Sequence, residues 1–172
     1  MTSRQLGINI DVELMEGQKN RLLPFGTTSA LGRINLEGYL TYRRVGDEPL
    51  STGYVQFFRS GRLESVGMSV FEVDSIGRQI LRTVGFERDV IDRCGQYLAA
   101  MEVTGVEPPI VVELSLLDVK GFSMLLSDEQ QALSVVGLGI DRNDLKLPAV
   151  LVNDWEEAAR AAKVLQPVFN GL

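Results

Sequence analysis

The sequence predicts an α+β domain: a mostly antiparallel sheet, formed by a meander plus a second hairpin, packed against one long central helix and a C-terminal helix. Three observations lead there. Strand-like segments at 36–42, 54–59 and 63–66 are joined by polar turns containing glycine, the pattern of consecutive antiparallel strands. Phe86, Val90, Cys94, Tyr97, Leu98 and Met101 then recur at helical spacing, with charged residues on the other faces. A last segment opens with Asp154-Trp155-Glu156-Glu157, a capping box ahead of Ala158, Ala161, Ala162 and Leu165.

Residues 6 to 16 alternate Leu6, Ile8, Ile10, Val12 and Leu14 against Gly7, Asn9, Asp11 and Glu13, which reads as a half-buried strand. Its acids Asp11, Glu13 and Glu16 fall on or near the polar side, as expected of a solvated strand face. Residues 17 to 33 hold Gly17, Asn20, Pro24, Gly26, Thr27, Thr28, Ser29 and Gly32, a linker composition with Leu22, Leu23 and Phe25 as anchors. The expected organisation is an N-terminal strand and linker arm over 1–32 and a single α+β domain over 33–172.

Within that domain Leu36, Gly38, Leu40 and Tyr42 share one side of the first strand, and Gly46-Asp47-Glu48-Pro49 turns the chain. Ser60-Gly61 joins the second strand to the third. The stretch 71–85 is open to two readings, a short helix capped by Asp74-Ser75 or an ordered loop. Gly105 and Pro108-Pro109 end the long helix. Ile110–Leu117 reads as a central strand, and the turn Asp118-Val119-Lys120-Gly121 leads into 122–126 as the second hairpin. Residues 133–140 are apolar and glycine-interrupted; 145–152 reads as an edge strand because of Pro148. Pro167 is expected to stop the final helix.

Composition excludes several chemistries. The 172 residues include no histidine and one cysteine, Cys94. Histidine-based triads, imidazole proton shuttles and histidine-bearing zinc sites are therefore absent, as is an internal disulfide. No metal or cofactor is expected. Cys94 lies on the apolar stripe of the long helix, the position of a buried structural thiol. A net charge of −6 argues against sequence-independent binding to nucleic acid. Arg43-Arg44 and Arg59-Ser60-Gly61-Arg62 read as solvated turn-flanking charges. No apolar run approaches the roughly 20 residues needed to span a bilayer, and no secretory signal opens the chain, so the expected location is cytoplasmic. Gly137-Leu138-Gly139 is not a dinucleotide fingerprint, because the third glycine position holds Arg142.

Three constellations bear on function. An acid two residues before a lysine occurs at Asp118-Val119-Lys120 and again at Asp144-Leu145-Lys146. On one strand this spacing places a metal-holding carboxylate beside a phosphate-stabilising lysine, as in metal-dependent nucleases. The catalytic set on that reading is Glu113, Asp118 and Lys120, although Asp118 and Lys120 fall in a predicted turn, where alternation does not hold. Gln56, Arg59 and Glu64 form a polar set across an aromatic hairpin, read either as an Arg59–Glu64 cross-strand ion pair or as a ligand- or partner-contacting rim. Trp155, the only tryptophan, packs the last helix onto the sheet or anchors an interface.

Several stretches, in one order over roughly residues 33 to 170, resemble a family: the C-terminal domain of bacterial DNA-binding or ATP-binding proteins whose N-terminal part is a Schlafen/AlbA-type domain. They are Asn35-Leu36-Glu37-Gly38; Tyr54-Val55-Gln56-Phe57-Phe58-Arg59-Ser60-Gly61 with Glu64 and Val66; Phe86-Glu87; Tyr97-Leu98; and Gly105-Val106-Glu107-Pro108-Pro109. The series continues through Leu114-Ser115-Leu116-Leu117-Asp118-Val119-Lys120-Gly121-Phe122, Leu147-Pro148-Ala149-Val150 and Leu165-Gln166-Pro167-Val168-Phe169. The family usually has glycine where this chain has Asp118 and often arginine where it has Gln166; its relatives also share a further aromatic segment beyond the position of Leu172.

The resemblance implies a standalone or excised accessory domain lacking the Schlafen/AlbA-like part that would carry nucleic-acid contacts or a nuclease site. The expected function is therefore non-catalytic: partner binding or self-association, with an N-terminal effector domain or another protein as partner, no nucleic-acid contact through this domain alone, and no membrane. The alternatives are the metal-dependent nuclease using Asp118 and Lys120 and a small-ligand sensor edged by Gln56 and Arg59.

Overall fold

A computed structural model of the chain describes residues 9–44, 51–68, 71–73, 77–125 and 139–169. The fold is α+β: a four-stranded antiparallel meander, a small hairpin, a long helix and a C-terminal helix. The chain forms two compact units, one of Met1–Gly67 with Gln96–Glu107 and one of Met68–Gly95 with Pro108–Leu172. The long helix α2 (Thr83–Val103) starts in the second and ends in the first. No helix among the described residues is long and apolar enough to cross a membrane.

The first unit is built on the sheet β1 (Leu31–Asn35), β2 (Gly38–Arg44), β3 (Ser51–Phe58) and β4 (Leu63–Gly67), in that spatial order. Its register pairs Tyr39 with Phe57 and Phe57 with Leu63, and Thr41 with Val55 and Val55 with Ser65. Because side chains alternate along a strand, these residues share one face, together with Gly32 and Ile34 of β1. Tyr39, Thr41, Val55 and Phe57 on it are almost wholly buried. Val55 and Phe57 each contribute about 1.5–3 kcal/mol on leaving water. The Thr41 hydroxyl donates to the Leu22 carbonyl, and the Tyr97 hydroxyl of α2 donates to the Leu23 carbonyl at 2.6 Å and lies 3.0 Å from Ser65 Oγ. Phe25 meets the Tyr97 ring edge-on at 6.1 Å. The anchors expected at Leu22, Leu23 and Phe25 thus tie residues 9–32, read as an arm, into this unit.

The N-terminal segment is a helix where a strand was expected. Asp11 caps α1 (Val12–Gly17), its carboxylate accepting the Glu13 N–H at 2.9 Å, and Glu13 sits favourably in the first turn. Alternation at Ile10, Val12 and Leu14 also satisfies part of a short helical stripe; here Met15 is buried and Leu14 is half exposed. A second difference is β1 itself, which lies largely within the expected linker. It hairpins onto β2 through Leu36-Glu37, with the Asn35 side chain accepting the N–H groups of Glu37 (3.0 Å) and Gly38 (2.9 Å). The turn expected at Gly46–Pro49 lies outside the described residues.

The second unit contains the hairpin β5 (Phe71–Val73) and β6 (Gln79–Arg82), so strands occupy a stretch read as helix or loop. It also holds β7 (Ile110–Val112), β8 (Ser115–Leu116), β9 (Ser123–Leu125), β10 (Leu145–Lys146) and β11 (Val150–Val152). Segments 110–117 and 122–126, expected to pair with each other, do not. Instead β9 runs parallel to β6, while β7 pairs with β11 and β8 with β10. The left-handed conformation of Asp118 (φ 60°) and the bonds Val119 N–H to Asn143 and Gly121 N–H to Ile140 (both 2.8 Å) turn the chain away from β8. Leu147-Pro148-Ala149 splits the expected last strand into β10 and β11. Most of 133–140 lies outside the described residues.

The capping box is present at α3 (Trp155–Ala158): Asp154 accepts the Glu157 N–H at 2.8 Å, and Glu157 accepts the Asn153 N–H at 2.8 Å. A turn at Ala159–Arg160 separates it from α4 (Ala161–Phe169). Pro167 does not stop α4, which continues to Phe169. A proline removes one ladder donor, and packing holds the last turn: Leu165 and Val168 are buried and Phe169 meets Phe86 edge-on at 6.2 Å.

Candidate functional site

The four-stranded sheet has two unlike faces. Opposite the buried one, the register lines up Leu31, Tyr42, Tyr54 and Val66 in a single row across all four strands. The neighbouring row is Arg33, Leu40, Gln56 and Glu64. Phe58 follows on β3, paired with Gly38. The side of β2 marked by Gly38, Leu40 and Tyr42 is therefore the outer side, and Leu36 at the hairpin tip is 97% exposed. Leu31 and Val66 are exposed, at 48% and 43%, and Tyr42, Tyr54 and Phe58 are half-buried.

Polar groups frame these rings. The Arg33 guanidinium lies 5.8 Å from the Tyr42 ring centre and that of Arg62 4.4 Å from Phe58, both cation–π distances. Tyr54 donates its hydroxyl to Glu64 at 2.5 Å. That hydrogen bond, with partial burial and the Glu64 charge, pushes the phenol pKa up, so Tyr54 stays a neutral donor. Glu64 also faces Arg62 at 4.0 Å, a loose exposed pair that contributes little stability. The cross-strand ion pair expected between Arg59 and Glu64 is thus replaced by Arg62–Glu64.

Gln56 and Arg59 serve the fold. Gln56 is buried, accepts from Asn35 Nδ2 at 2.7 Å, and donates to the carbonyls of Phe57 (3.2 Å) and Tyr39 (3.4 Å). Asn35 in turn holds the β1–β2 turn, so the two amides lock the hairpin to the sheet centre. The backbone of Arg59 donates to Glu37 at 2.7 Å and accepts from Ile10 at 2.9 Å, joining three segments. Its side chain is half-buried.

The remaining candidates lie in the second unit. Glu113, Asp118 and Lys120 are exposed, with buried Val119 between the last two. The Asp118 N–H points at the Asp144 carboxylate at 3.4 Å, so the structure brings the two acid-x-lysine segments together at a turn. No group of three or more potential metal-ligating side chains occurs among the described residues. Trp155 opens α3 beside β11 and is half-buried. Cys94 is buried, and desolvation raises its thiol to about 11, far from the range of a reactive thiolate.

The row Leu31–Tyr42–Tyr54–Val66 escapes sequence reading because its members come from four strands. Tyr42 and Tyr54 become neighbours only through the β2–β3 register. Comparison with protein-family models, with curated proteins and with solved structures returned no match.

Proposed function

We propose that the chain is a non-catalytic interaction domain that docks a protein partner on the outer face of its meander, in a bacterial cytoplasmic setting and as an accessory to an effector domain of the Schlafen/AlbA type. The observation that carries the reading is the row Leu31–Tyr42–Tyr54–Val66, backed by Phe58 and edged by Arg33 and Arg62. Tyrosine, phenylalanine and arginine around a partly exposed apolar centre are the side chains that dominate protein interfaces, where they supply large contact area at low entropic cost. Aromatics with arginines also suit nucleic acid, but a chain of net charge −6 with Glu64 inside the face favours a protein.

The alternatives lean on less. The Gln56 amide is engaged by Asn35, Phe57 and Tyr39, which takes from the ligand-sensor reading one of its two residues. Asp118 is itself left-handed and neither it nor Lys120 lies on a strand, so the spacing argument for a nuclease does not apply to them.

Quantitative affinity purification with the intact chain and two variants tests the proposal. A protein recovered with the wild type and with Leu151→Ala, a control in the second unit, is expected to be lost with Tyr42→Ala/Tyr54→Ala at a temperature where melting curves show that variant still folded. Identical recovery with all three chains overturns the reading. Magnesium-dependent cleavage of DNA or RNA by the purified chain, abolished by Asp118→Ala with Lys120→Ala, replaces it with the nuclease.

A further inference from the structure

Among the described residues the meander ends on either side in a strand with one unpaired edge, and the two edges are complementary. Each is five residues long: β1 is Leu-Gly-Arg-Ile-Asn and β4 is Leu-Glu-Ser-Val-Gly. Each carries one charge, Arg33 on β1 and Glu64 on β4, and both charges belong to the same row on the outer face. Among the described residues no strand pairs with the outer side of either. Both also expose apolar side chains, Leu31 (48%) and Ile34 (49%) on β1 and Val66 (43%) on β4. Unpaired edges of this kind are ready templates for another strand.

The hydrogen-bond alternation decides whether one edge fits the other. Phe58 N–H donates to the Arg62 carbonyl at 2.8 Å, so residues 54, 56 and 58 turn their backbone groups toward β4 and residues 55 and 57 toward β2. Carried across the antiparallel sheet, the same alternation makes Gly32 and Ile34 present N–H and C=O outward from β1, and Leu63 and Ser65 outward from β4. With four antiparallel strands, a β1 placed beside β4 of another copy runs antiparallel to it.

We infer that copies of this chain associate edge to edge, β1 of one copy adding to β4 of the next. In the register where Gly32 and Ile34 exchange bonds with Ser65 and Leu63 of the second copy, Arg33 falls opposite Glu64 as a close pair without ladder bonds between them. Leu31 then meets Val66, and the row Leu31–Tyr42–Tyr54–Val66 continues unbroken into the next sheet. A two-fold pairing of β1 with itself about Arg33 sets two arginines face to face, which is unfavourable. The contact is heterologous, so it builds a series of copies rather than a closed dimer. Its small area places it among weak, concentration-dependent associations. It uses the rims of the sheet rather than its face and stands whether or not the face binds a protein.

Sedimentation velocity of the purified full chain from about 5 μM to about 1 mM, concentrations bracketing weak association, tests it. The weight-average sedimentation coefficient is expected to rise with concentration. Arg33→Glu or Glu64→Arg alone should weaken association about tenfold by placing like charges opposite each other. Combining both reversals in one chain should restore it, as should mixing the two single variants. Glu64→Gln, which keeps an acceptor for Tyr54, should weaken it less and guards against a folding defect in Glu64→Arg, with melting curves as control. A wild type that stays monomeric throughout, a double reversal no better than the singles, or a dimer indifferent to Glu64→Arg each overturns the inference.

Discussion

Replacing Gly32 by alanine should destabilise the first unit through one identifiable collision. Gly32 lies on β1 opposite Thr41, and the buried ring of Tyr39 crosses the space where a side chain would begin. A Cβ there would overlap the Tyr39 hydroxyl and stand 2.7 Å from Cζ and 3.4 Å from Cε1. Tyr39 is 1% exposed, so its ring has little room to retreat. Overpacking of this kind costs about 1–3 kcal/mol. For a chain of this size each kcal/mol lowers Tm by roughly 2–4 °C. Tyr39→Phe alone should cost less than about 1 kcal/mol, and in the Gly32→Ala background it removes the worst overlap and leaves the Cζ contact. Thermal or urea unfolding of both singles and the double should therefore give a coupling of about 1 kcal/mol in the rescuing direction. Additivity within about 0.5 kcal/mol, the behaviour of independent sites, would refute the collision.

Three further outcomes follow from named groups. The Cys94 thiol, raised by burial from 9.0 to about 11, contributes stability that is complete below pH 9 and lost as pH rises through 11. The loss amounts to roughly 2–3 kcal/mol, comes on top of whatever alkaline loss Cys94→Ala retains from the raised Tyr39 and Tyr54 phenols, and should appear in unfolding curves of the two chains collected across that range together with slow thiol labelling of the native chain. Asp154→Ala removes the acceptor for the Glu157 N–H and should cost about 1 kcal/mol, read as a lower unfolding midpoint. Asp118→Gly should be at least as stable as the wild type to within about 0.5 kcal/mol, whereas Asp118→Val should lose about 1–2 kcal/mol, since φ 60° suits glycine and strains a β-branched residue.

Legibility in the sequence tracked the length and burial contrast of each element. Helix α2 is plain because Phe86, Val90, Cys94, Tyr97, Leu98 and Met101 hold one period and are all buried. Strand β1 is hidden because four of its five residues are exposed and no alternation of burial is imprinted on them. Residues 12–17 misled because six residues hold too few turns to separate a period of two from one of 3.6, although Asp11 already marked a helix start. On β2 the apparently stronger apolar side, Leu40 and Tyr42, proved to be outer, because Tyr39 and Thr41 find partners in Phe57, Val55 and the Leu22 carbonyl. Of the candidate site residues, Glu64 alone lies exposed on the outer face, while Gln56 is buried in its centre. The row Leu31–Tyr42–Tyr54–Val66 beside them needed three strand registers to be seen as one surface.

On the proposed reading a protein partner sits on the outer face of the meander. A photo-reactive side chain placed at Leu40, half-buried in the middle of that face and involved in no cap or turn, tests it most directly. Irradiation of the full chain in a cell lysate should give one discrete covalent adduct with another protein, lost when Tyr54→Lys is added and unaffected by Asp118→Ala. No adduct from Leu40, or an adduct that survives Tyr54→Lys unchanged, would contradict the account.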